Sequence, residues 1–356
     1  MTNPGQSQGA HLEEFEYLCV DAFLQDVVGA RTVQAALELN LIDHLAKRQP
    51  CPWEDLKKAF KDEPGLAFLL NLLKAYQVIE GSGGEIQLSA AFTKALKYRD
   101  LLEAKLDLAN FALPDFVNLF TVLIRSPEAF FREARVFGLF DYSKCFHYSP
   151  ENYELTKRWV RITTILTRYE AQVCMKYHDF GQFRRMLDIG GNSGEFALRV
   201  CKDYPGISVM VFDLPLVCAI GQEHLRSESE VDRISFFQGN ALTDFLPEGF
   251  DLVTFKSMLH DWPEREAKQL ISRAARSLKP GGTLLIFERG PLEISNAPLS
   301  FSLIPFIAFI YSFRTPEMYK NHLAELGFRD IKVQKIDLET PFFLLTALKS
   351  SPSLVL

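Results

Sequence analysis

The feature that most constrains the fold is a change of hydrophobic period after Arg185. From there, short strand-like runs such as RMLDIGG, SVMVFDLP, ISFFQGN, DLVTFKS and TLLIFERG alternate with helical patterns such as EREAKQLISRAARSL. Strands that alternate with helices form a parallel sheet covered on both faces. The late runs IKVQKID and FFLLTALK are close enough to pair as a hairpin. The sequence therefore predicts an α/β, Rossmann-like domain over 183–356 with a mostly parallel seven-stranded sheet.

The first hundred residues have the pattern of a winged helix. Three segments repeat apolar residues at helical spacing (ARTVQAALELNLIDHLAK, PWEDLKKAF and PGLAFLLNLLKAYQVI), and VIEGSGGEIQLS has the glycines of a hairpin. The helix that would read DNA, Leu66 to Gln77, carries a single cation, Lys74, and the chain has a net charge of -6. Nucleic-acid binding needs Lys and Arg to meet phosphates, so we expect none. The apolar faces instead indicate a homodimerisation domain over 1–100.

Residues 101–182 are predicted to be helical and are rich in aromatic residues, as in NFALPDFVNLF and EAFFREARVFGLFDY. Aromatic residues at helical spacing usually form core. Some of them are expected to line a pocket, because small-molecule sites are largely apolar and aromatic. We interpret this segment as a helical linker and substrate-pocket region.

Targeting and redox features predict a cytoplasmic protein without a membrane span. The N-terminal MTNPGQSQGA lacks the basic and apolar regions of a signal peptide, and the six cysteines show no C-x-x-C spacing. The longest apolar segment, FSLIPFIAFIYSF, is too short to cross a bilayer and is interrupted by Pro305. It is expected to be a buried helix or a pocket wall.

The glycine-rich turn in MLDIGGNSGEF predicts a ligand site. It follows the first predicted strand of the sheet, and open α/β sheets bind ligands at the carboxyl ends of their strands. Asp213 ends the next strand, where an acid can accept hydrogen bonds from both hydroxyls of a ribose. A nucleoside is therefore expected, but these features fit NAD and S-adenosylmethionine equally well.

Further along, DLVTFKS runs into MLHDWPERE, and LKPGGTLLIFE leads into the next strand. With these motifs in this order, nearly the whole chain resembles the class I S-adenosylmethionine-dependent methyltransferases. More narrowly, it resembles the small-molecule O-methyltransferases of the caffeate, acetylserotonin and phenazine type. The resemblance implies S-adenosyl-L-methionine as cofactor and a set of residues that hold it: Asp188, Gly190, Gly191, Gly194, Asp213, Leu214, Asn240, Ala241 and Lys256.

Two positions depart from the family pattern in this cofactor site. Asn192 stands where the family usually has a third glycine, and we expect it to be tolerated because Asn can adopt left-handed backbone. Asn240 stands where the family has an Asp beside the adenine, which removes a charge and is expected to weaken binding modestly. Asp188 has a competing structural interpretation, in which it only fixes the loop.

His260 matches the family's catalytic histidine, and neutral imidazole is a suitable base near neutral pH. Glu288, at the end of the next strand, is expected to orient it. A second family carboxylate usually precedes an Arg-Thr pair, but here Phe313 precedes Arg314 and Thr315. Phe313 and Trp159 are instead expected to contribute to a hydrophobic substrate pocket.

The resulting prediction is methyl transfer to a hydroxyl of a hydrophobic aromatic or enolic small molecule, in natural-product biosynthesis, with His260 as general base. The lost carboxylate keeps two alternatives open: C-methylation, or a non-methylating reaction of the pericyclase, decarboxylase or hydroxylase type. A non-catalytic dimeric binding protein is a third. No convincing cluster of acids predicts a metal site.

Overall fold

The computed structural model describes residues 15–61, 64–294 and 298–350. The N-terminal segment used to predict the location of the protein lies outside these residues. The chain divides into two compact units. The first comprises the described residues up to Val117 and those within 294–306, and the second comprises 118–293 and the described residues from Ile307 onwards.

The first unit is mainly helical. Its α-helices are α1 (Val27–Glu38), α2 (Leu41–Lys47), α3 (Trp53–Ala59), α4 (Leu66–Ala75), α5 (Ala90–Ala95) and the part of α6 (Arg99–Arg125) up to Val117, and its first 3-10 helices are Glu16–Phe23 and Leu96–Tyr98. The single helix predicted from ARTVQAALELNLIDHLAK is wrong. Asn40 adopts left-handed backbone with a φ of 59° and divides that segment into α1 and α2.

Three short strands complete this unit: β1 (Cys51–Pro52), β2 (Ile79–Glu80) and β3 (Glu85–Leu88). The predicted hairpin is confirmed, since β2 and β3 pair antiparallel, and β1 adds to the other edge of β3. The turn requires glycine at Gly81, where a Cβ would lie 2.0 Å from the carbonyl oxygen of Glu85.

Residues Ala90–Arg125 form a helical run whose most apolar window has a mean hydropathy of 1.3, enough by length and composition alone to cross a membrane. Such a signal is weak, because core helices of soluble proteins give it too. Within this unit the run carries Lys105, whose buried ammonium pairs with Asp21 at 2.7 Å, and Arg99, which pairs with Asp43. Of the apolar window itself, 22% is buried in the structure.

After α6, further α-helices come before the sheet and between its strands. These are α7 (Pro127–Glu133), α8 (Val136–Leu139), α9 (Pro150–Tyr177), α10 (Glu195–Asp203), α11 (Pro215–Leu225), α12 (Glu264–Ser277), α13 (Ile304–Ala308) and α14 (Pro316–Glu325). Short 3-10 helices lie at Tyr142–Phe146, Val231–Arg233, Leu259–Asp261 and Phe301–Leu303. The strands are β4 (Arg185–Ile189), β5 (Ser208–Asp213), β6 (Ile234–Gln238), β7 (Phe250–Lys256), β8 (Leu278–Arg289), β9 (Phe328–Asp337) and β10 (Pro341–Lys349).

The second unit is built on one seven-stranded sheet in the order β6-β5-β4-β7-β8-β10-β9. Strands β4 to β8 pair in parallel, and β10 pairs antiparallel with both β8 and β9. The predicted α/β fold with a mostly parallel sheet is therefore confirmed. The central strands are buried on both faces, as in Leu187, Val253 and Phe255, because helices cover the sheet on each side.

The strand order places a crevice at the carboxyl end of β4. The chain runs from β4 through β5 to β6 on one side and then crosses to β7 on the other side. Loops that follow β4 and β7 diverge at such a switch point, which leaves room for a ligand. On β8, residues 279–282 loop out between Leu278, opposite Phe250, and Thr283, opposite Leu252, so the predicted KPGG turn lies inside this strand.

Candidate active site

The glycine loop after β4 is shaped by its lack of side chains. A Cβ on Gly190 would lie 2.5 Å from Cγ of Met258, and one on Gly191 would lie 2.5 Å from Oδ2 of Asp188. Gly190 and Gly194 have φ values of 69° and 76°, which favour glycine. Gly194 is also the N-cap residue of α10. The loop therefore brings bare backbone and a helix N-terminus to the carboxyl end of β4, an arrangement suited to a polar ligand.

Asn192 fits this loop as predicted, with left-handed backbone at a φ of 56°. Its side chain ties the loop to helix α9, because Nδ2 donates to Oγ1 of Thr163 at 3.1 Å and Oδ1 accepts from the N–H of Ser193 at 2.7 Å. Oγ1 of Thr164 also donates to Oγ of Ser193 at 2.7 Å. The departure from glycine thus adds contacts that a third glycine could not make.

Asp213 lies at the end of β5, beside the loop. Its Oδ2 accepts from the N–H of Asn192 and its Oδ1 from the N–H of Leu214, each at 2.7 Å. Burial raises the pKa of Asp213 to about 6 despite these two donors. Each carboxylate oxygen has a second lone pair, so the group can accept two further hydrogen bonds.

Asp188 lies beneath the loop with 1% of its surface exposed. Its Oδ1 accepts from Oγ1 of Thr254 at 2.6 Å, whereas Oδ2 has no hydrogen-bond partner among the described residues. Burial raises its pKa to about 7. Packed against Gly191, Asp188 supports the loop from below.

Asn240 and Ala241 follow β6. Oδ1 of Asn240 accepts from the N–H of Leu242 at 2.9 Å, and the N–H of Asn240 donates to Oδ2 of Asp244 at 2.9 Å. The carbonyl of Ala241 accepts from Nε of Arg273 at 2.7 Å. The side chain of Asn240 is therefore used in its own turn, an arrangement that an Asp could also adopt.

Lys256, at the end of β7, belongs to a buried charged cluster that the sequence did not predict. Glu170 on α9 binds both Lys256 and Arg289, and Lys256 also donates to Oγ1 of Thr167 at 2.9 Å. Burial opposes ionisation of Glu170, but the two cations outweigh it and lower its pKa to about 2. The cluster joins α9 to the ends of two central strands and holds Lys256 in one position.

His260 and Glu288 form the predicted pair. Nδ1 of His260 lies 2.7 Å from Oε1 of Glu288, which is fully buried and also accepts from the N–H groups of Leu259 and Arg289 at 3.1 and 2.9 Å. Burial favours neutral imidazole, but the carboxylates outweigh it and raise the pKa of His260. The pKa of Glu288 is lowered, since the charge of His260 and these donors exceed the effect of burial. The pair leaves Nε2 as the ring nitrogen directed away from Glu288.

A second carboxylate, missed at the level of sequence, approaches that nitrogen. Oδ1 of Asp261 lies 3.3 Å from Nε2 of His260, and Oδ2 accepts from the hydroxyl of Tyr142 at 2.8 Å. Burial raises the pKa of Asp261 and also raises that of Tyr142 well above its ordinary value. The imidazole therefore lies between two acids even though Phe313 is not one.

Aromatic rings surround this pair. The ring of Phe313 lies 5.4 Å from the imidazole and is 7% exposed. Tyr142 contacts Trp159 at 5.6 Å and Trp262 at 6.3 Å, measured between ring centroids. Further ring contacts continue from Trp159 through Phe140, Phe309 and Phe137. Of the two predicted pocket residues, Phe313 therefore lies against His260, whereas Trp159 is linked to it through Tyr142 and Asp261.

No group of three or more His, Cys, Asp or Glu side chains within residues 15–61, 64–294 and 298–350 is arranged to hold a metal ion. The polar groups at the crevice are thus a hydrogen-bonding carboxylate, bare backbone and an acid-flanked imidazole. This combination can hold a nucleoside and accept a proton.

The chain is similar to known methyltransferases along most of its length. A family model described as an O-methyltransferase domain matches residues 116–329. Acetylserotonin O-methyltransferase from Bos taurus is 35% identical over 175 residues, 47% of this chain and 49% of that protein. The chain thus spans about half the length of this relative. The N,N-dimethyltransferase OxyT from Streptomyces rimosus is 26% identical over 332 residues, 90% of this chain and 93% of that protein.

Among solved structures, human N-acetylserotonin methyltransferase in complex with SAM has a similar fold. The match has a TM-score of 0.61 and 21% identity, and it covers 98% of this chain and 100% of the human chain. At this identity the match supports the fold, including the helical segment before the sheet.

Proposed function

We propose, from the premise that this chain belongs to the O-methyltransferase domain family, that it methylates a hydroxyl group of a hydrophobic aromatic or enolic small molecule. The observation that carries the proposal is the pairing of His260 with buried Glu288 at the crevice that also holds Asp213. A binding protein without catalysis would need no buried carboxylate on an imidazole. Natural-product biosynthesis is the setting we infer for such an acceptor.

S-adenosylmethionine is the cofactor that this family membership implies, and it would supply an electrophilic methyl group. The residues fit it: Gly190 and Gly191 leave bare backbone where any Cβ would collide with its surroundings. Asp213 has lone pairs for two ribose hydroxyls and a pKa raised by burial, so added donors would stabilise its charged form. Leu214, Asn240 and Ala241 would lie along the nucleoside. Lys256, at the end of β7, is the cation proposed to lie near the cofactor.

His260 is proposed to take the proton of the acceptor hydroxyl. Glu288 fixes the proton on Nδ1, so the lone pair of Nε2 is the one available to the acceptor. As the hydroxyl oxygen is methylated, its proton passes to Nε2 and leaves an imidazolium that Glu288 stabilises. Because Glu288 is buried, its negative charge is little screened by water and stabilises the imidazolium strongly.

The acceptor is proposed to be flat and apolar, since the ring of Phe313 borders the base and the rings of Tyr142 and Trp159 contact each other next to Asp261. Such rings stack against aromatic molecules. An amine acceptor is a second candidate, because the relative that matches nine-tenths of the chain is named as an N,N-dimethyltransferase.

The test is turnover of S-adenosylmethionine with a panel of phenols, enols and aromatic amines, followed by mass analysis of each acceptor. Formation of S-adenosylhomocysteine, together with a product in which a methyl group replaces the hydroxyl hydrogen (a net gain of CH2), is expected for a hydroxylated acceptor. His260→Ala serves as the control for base-dependent transfer. Modified acceptors without any mass gain of a methyl group would favour the non-methylating alternatives.

A homodimer through the first unit is also proposed. A groove of about 590 Å³ between α1 and α4 is lined by exposed apolar side chains: Val27, Val28, Leu39 and Phe68. Phe68 is 67% exposed, which is unusual for a large ring on a single chain. Within the first unit, helix α6 adds a further exposed apolar side chain, Val117. A cytoplasmic location is consistent with the six cysteines, which are all free in the described structure.

A further inference from the structure

The contacts of Asp261 suggest a role that rests on the proposed function of His260 as base. Its two oxygens are used differently: Oδ2 accepts from the hydroxyl of Tyr142 at 2.8 Å, and Oδ1 faces Nε2 of His260 at 3.3 Å. The side chain of Asp261 is 21% exposed, whereas that of His260 is 13% exposed. We propose that Asp261, held by Tyr142, is a positioning residue. Its carboxylate pairs with Nε2 of His260 and thereby sets the pH above which this nitrogen can accept a proton.

The two acids beside His260 determine how many protons its ring carries. Glu288 lies on Nδ1 and Asp261 lies near Nε2, so a proton on each nitrogen is favoured in the absence of acceptor. An imidazole protonated on both nitrogens cannot take a proton from a hydroxyl. The proton on Nε2 must first leave to solvent, and the negative charge of Asp261 makes that loss harder.

Asp261 supplies a second acid beside His260, although Phe313 supplies none. Phe313 offers no acceptor, and its ring lies 5.4 Å from the imidazole. Asp261 is the neighbour of His260 in the chain, and in the 3-10 helix Leu259–Asp261 its side chain turns back towards the ring. Tyr142 comes from a different segment, 119 residues earlier, and fixes that orientation.

Other charged groups near this segment have to be considered in any titration. Arg289 on β8 opposes protonation of His260, and Asp213 lies near enough to Asp261 for the two charges to interact. Arg314 donates to the carbonyl oxygens of Leu259 and Trp262, which flank the pair. Glu288, Tyr142 and Tyr319 are further ionisable groups that face this cluster. Asp261 is thus one of two carboxylates that favour the imidazolium form.

The experiment is an NMR titration of the histidine side chains in the full chain without acceptor. The resonance of His260 is assigned by its loss in His260→Gln. In Asp261→Asn, an isosteric change, the titration midpoint of His260 should fall by about one pH unit or more, because a nearby opposite charge is removed. Asp203→Asn, at the exposed end of α10, is the matched control and should leave the midpoint unchanged.

Tyr142→Phe provides a second route if Asp261→Asn does not fold. In the native background it should move the midpoint of His260, because it removes the hydrogen bond that holds Asp261. Where Asp261→Asn folds, adding Tyr142→Phe to it should leave the midpoint unchanged, since the tyrosine acts only through the acid. An unmoved midpoint in Asp261→Asn, or an equal shift in Asp203→Asn, would overturn the proposal. The titration needs no turnover, so absence of methyl transfer with every acceptor would contradict the proposed function and leave this result intact.

Discussion

Replacement of Glu288 by Gln tests the central pair most directly. The carboxylate accepts four hydrogen bonds: Oε1 from Nδ1 of His260 and the N–H of Arg289, and Oε2 from the N–H groups of Leu259 and His260. A carboxamide has one oxygen, so two of the four donors lose their acceptor in either orientation. The orientation that keeps the oxygen on Nδ1 orphans the N–H of Leu259, bonded at 3.1 Å, and that of His260, at the longer distance of 3.4 Å. We expect a loss of about 1–3 kcal/mol in the free energy of unfolding, mainly from the Leu259 donor.

The loss should depend on pH. The pKa of His260 is raised in the folded state, so its contribution is complete below about 6.5 and is lost as pH rises through the folded value. The pKa of Glu288 is lowered, so its contribution is present above about 4.3 and is lost as pH falls through the folded value. Both contributions come from the same interaction between His260 and Glu288 and are not to be added. The difference between the native protein and Glu288→Gln should therefore be largest between these limits and should shrink at alkaline pH to the cost of the orphaned N–H.

Denaturant unfolding at about pH 5.5 and about pH 9 measures this difference. Glu264→Gln, a surface change in the ion pair with Lys268, is the control and should show neither the loss nor its pH dependence. Turnover of Glu288→Gln should fall by less than the roughly 100- to 10,000-fold expected for removal of the base, because the imidazole keeps its orientation. Native turnover together with a loss of stability that does not vary with pH would refute the assignment of Glu288 as the partner of His260.

Three further predictions follow from the same structure. Asp213→Ala should weaken binding of S-adenosylmethionine by about 1.5–3 kcal/mol in calorimetry, because two ribose hydroxyls lose their acceptor, and equal affinity would exclude that role. His260→Ala should reduce turnover about 100- to 10,000-fold and leave cofactor affinity nearly unchanged; a drop of less than several-fold would mean that the reaction needs no base. The native chain should be a dimer in light scattering and Phe68→Glu should dissociate it, so a native monomer at micromolar concentration would contradict the proposed interface.

The architecture of the second unit was predictable because its signal is local. The period of the apolar residues changes after Arg185, and each predicted strand appears in the sheet in the expected direction. The break between α1 and α2 was not predictable from spacing, since it depends on the backbone of a single residue, Asn40. Its apolar neighbours continue the helical pattern across the break.

Residues of the site were predictable when they stood at strand ends. His260 and Glu288 follow this rule, and the structure joins them at 2.7 Å. Glu170 and Tyr142 were missed because their partners lie 86 and 119 residues away, so only tertiary packing brings them together. A signal existed for Asp261, an acid directly beside the predicted base, but its orientation depends on Tyr142.

Phe313 occupies the position at which the family pattern has a carboxylate. A carboxylate at this position would approach an imidazole that already has Glu288 on Nδ1 and Asp261 near Nε2. With 7% of the residue exposed, a third acid there would lack a partner and would favour its neutral form. We therefore expect Phe313→Glu to raise the KM of an apolar acceptor without increasing turnover in the native background. When Phe313→Glu is added to Asp261→Asn, the titration midpoint of His260 should rise part of the way back to its native value, because a second carboxylate again lies near the imidazole. Kinetics and NMR of the two single variants and the double variant measure both effects. Unchanged acceptor binding in Phe313→Glu would show that this ring lies outside the acceptor site.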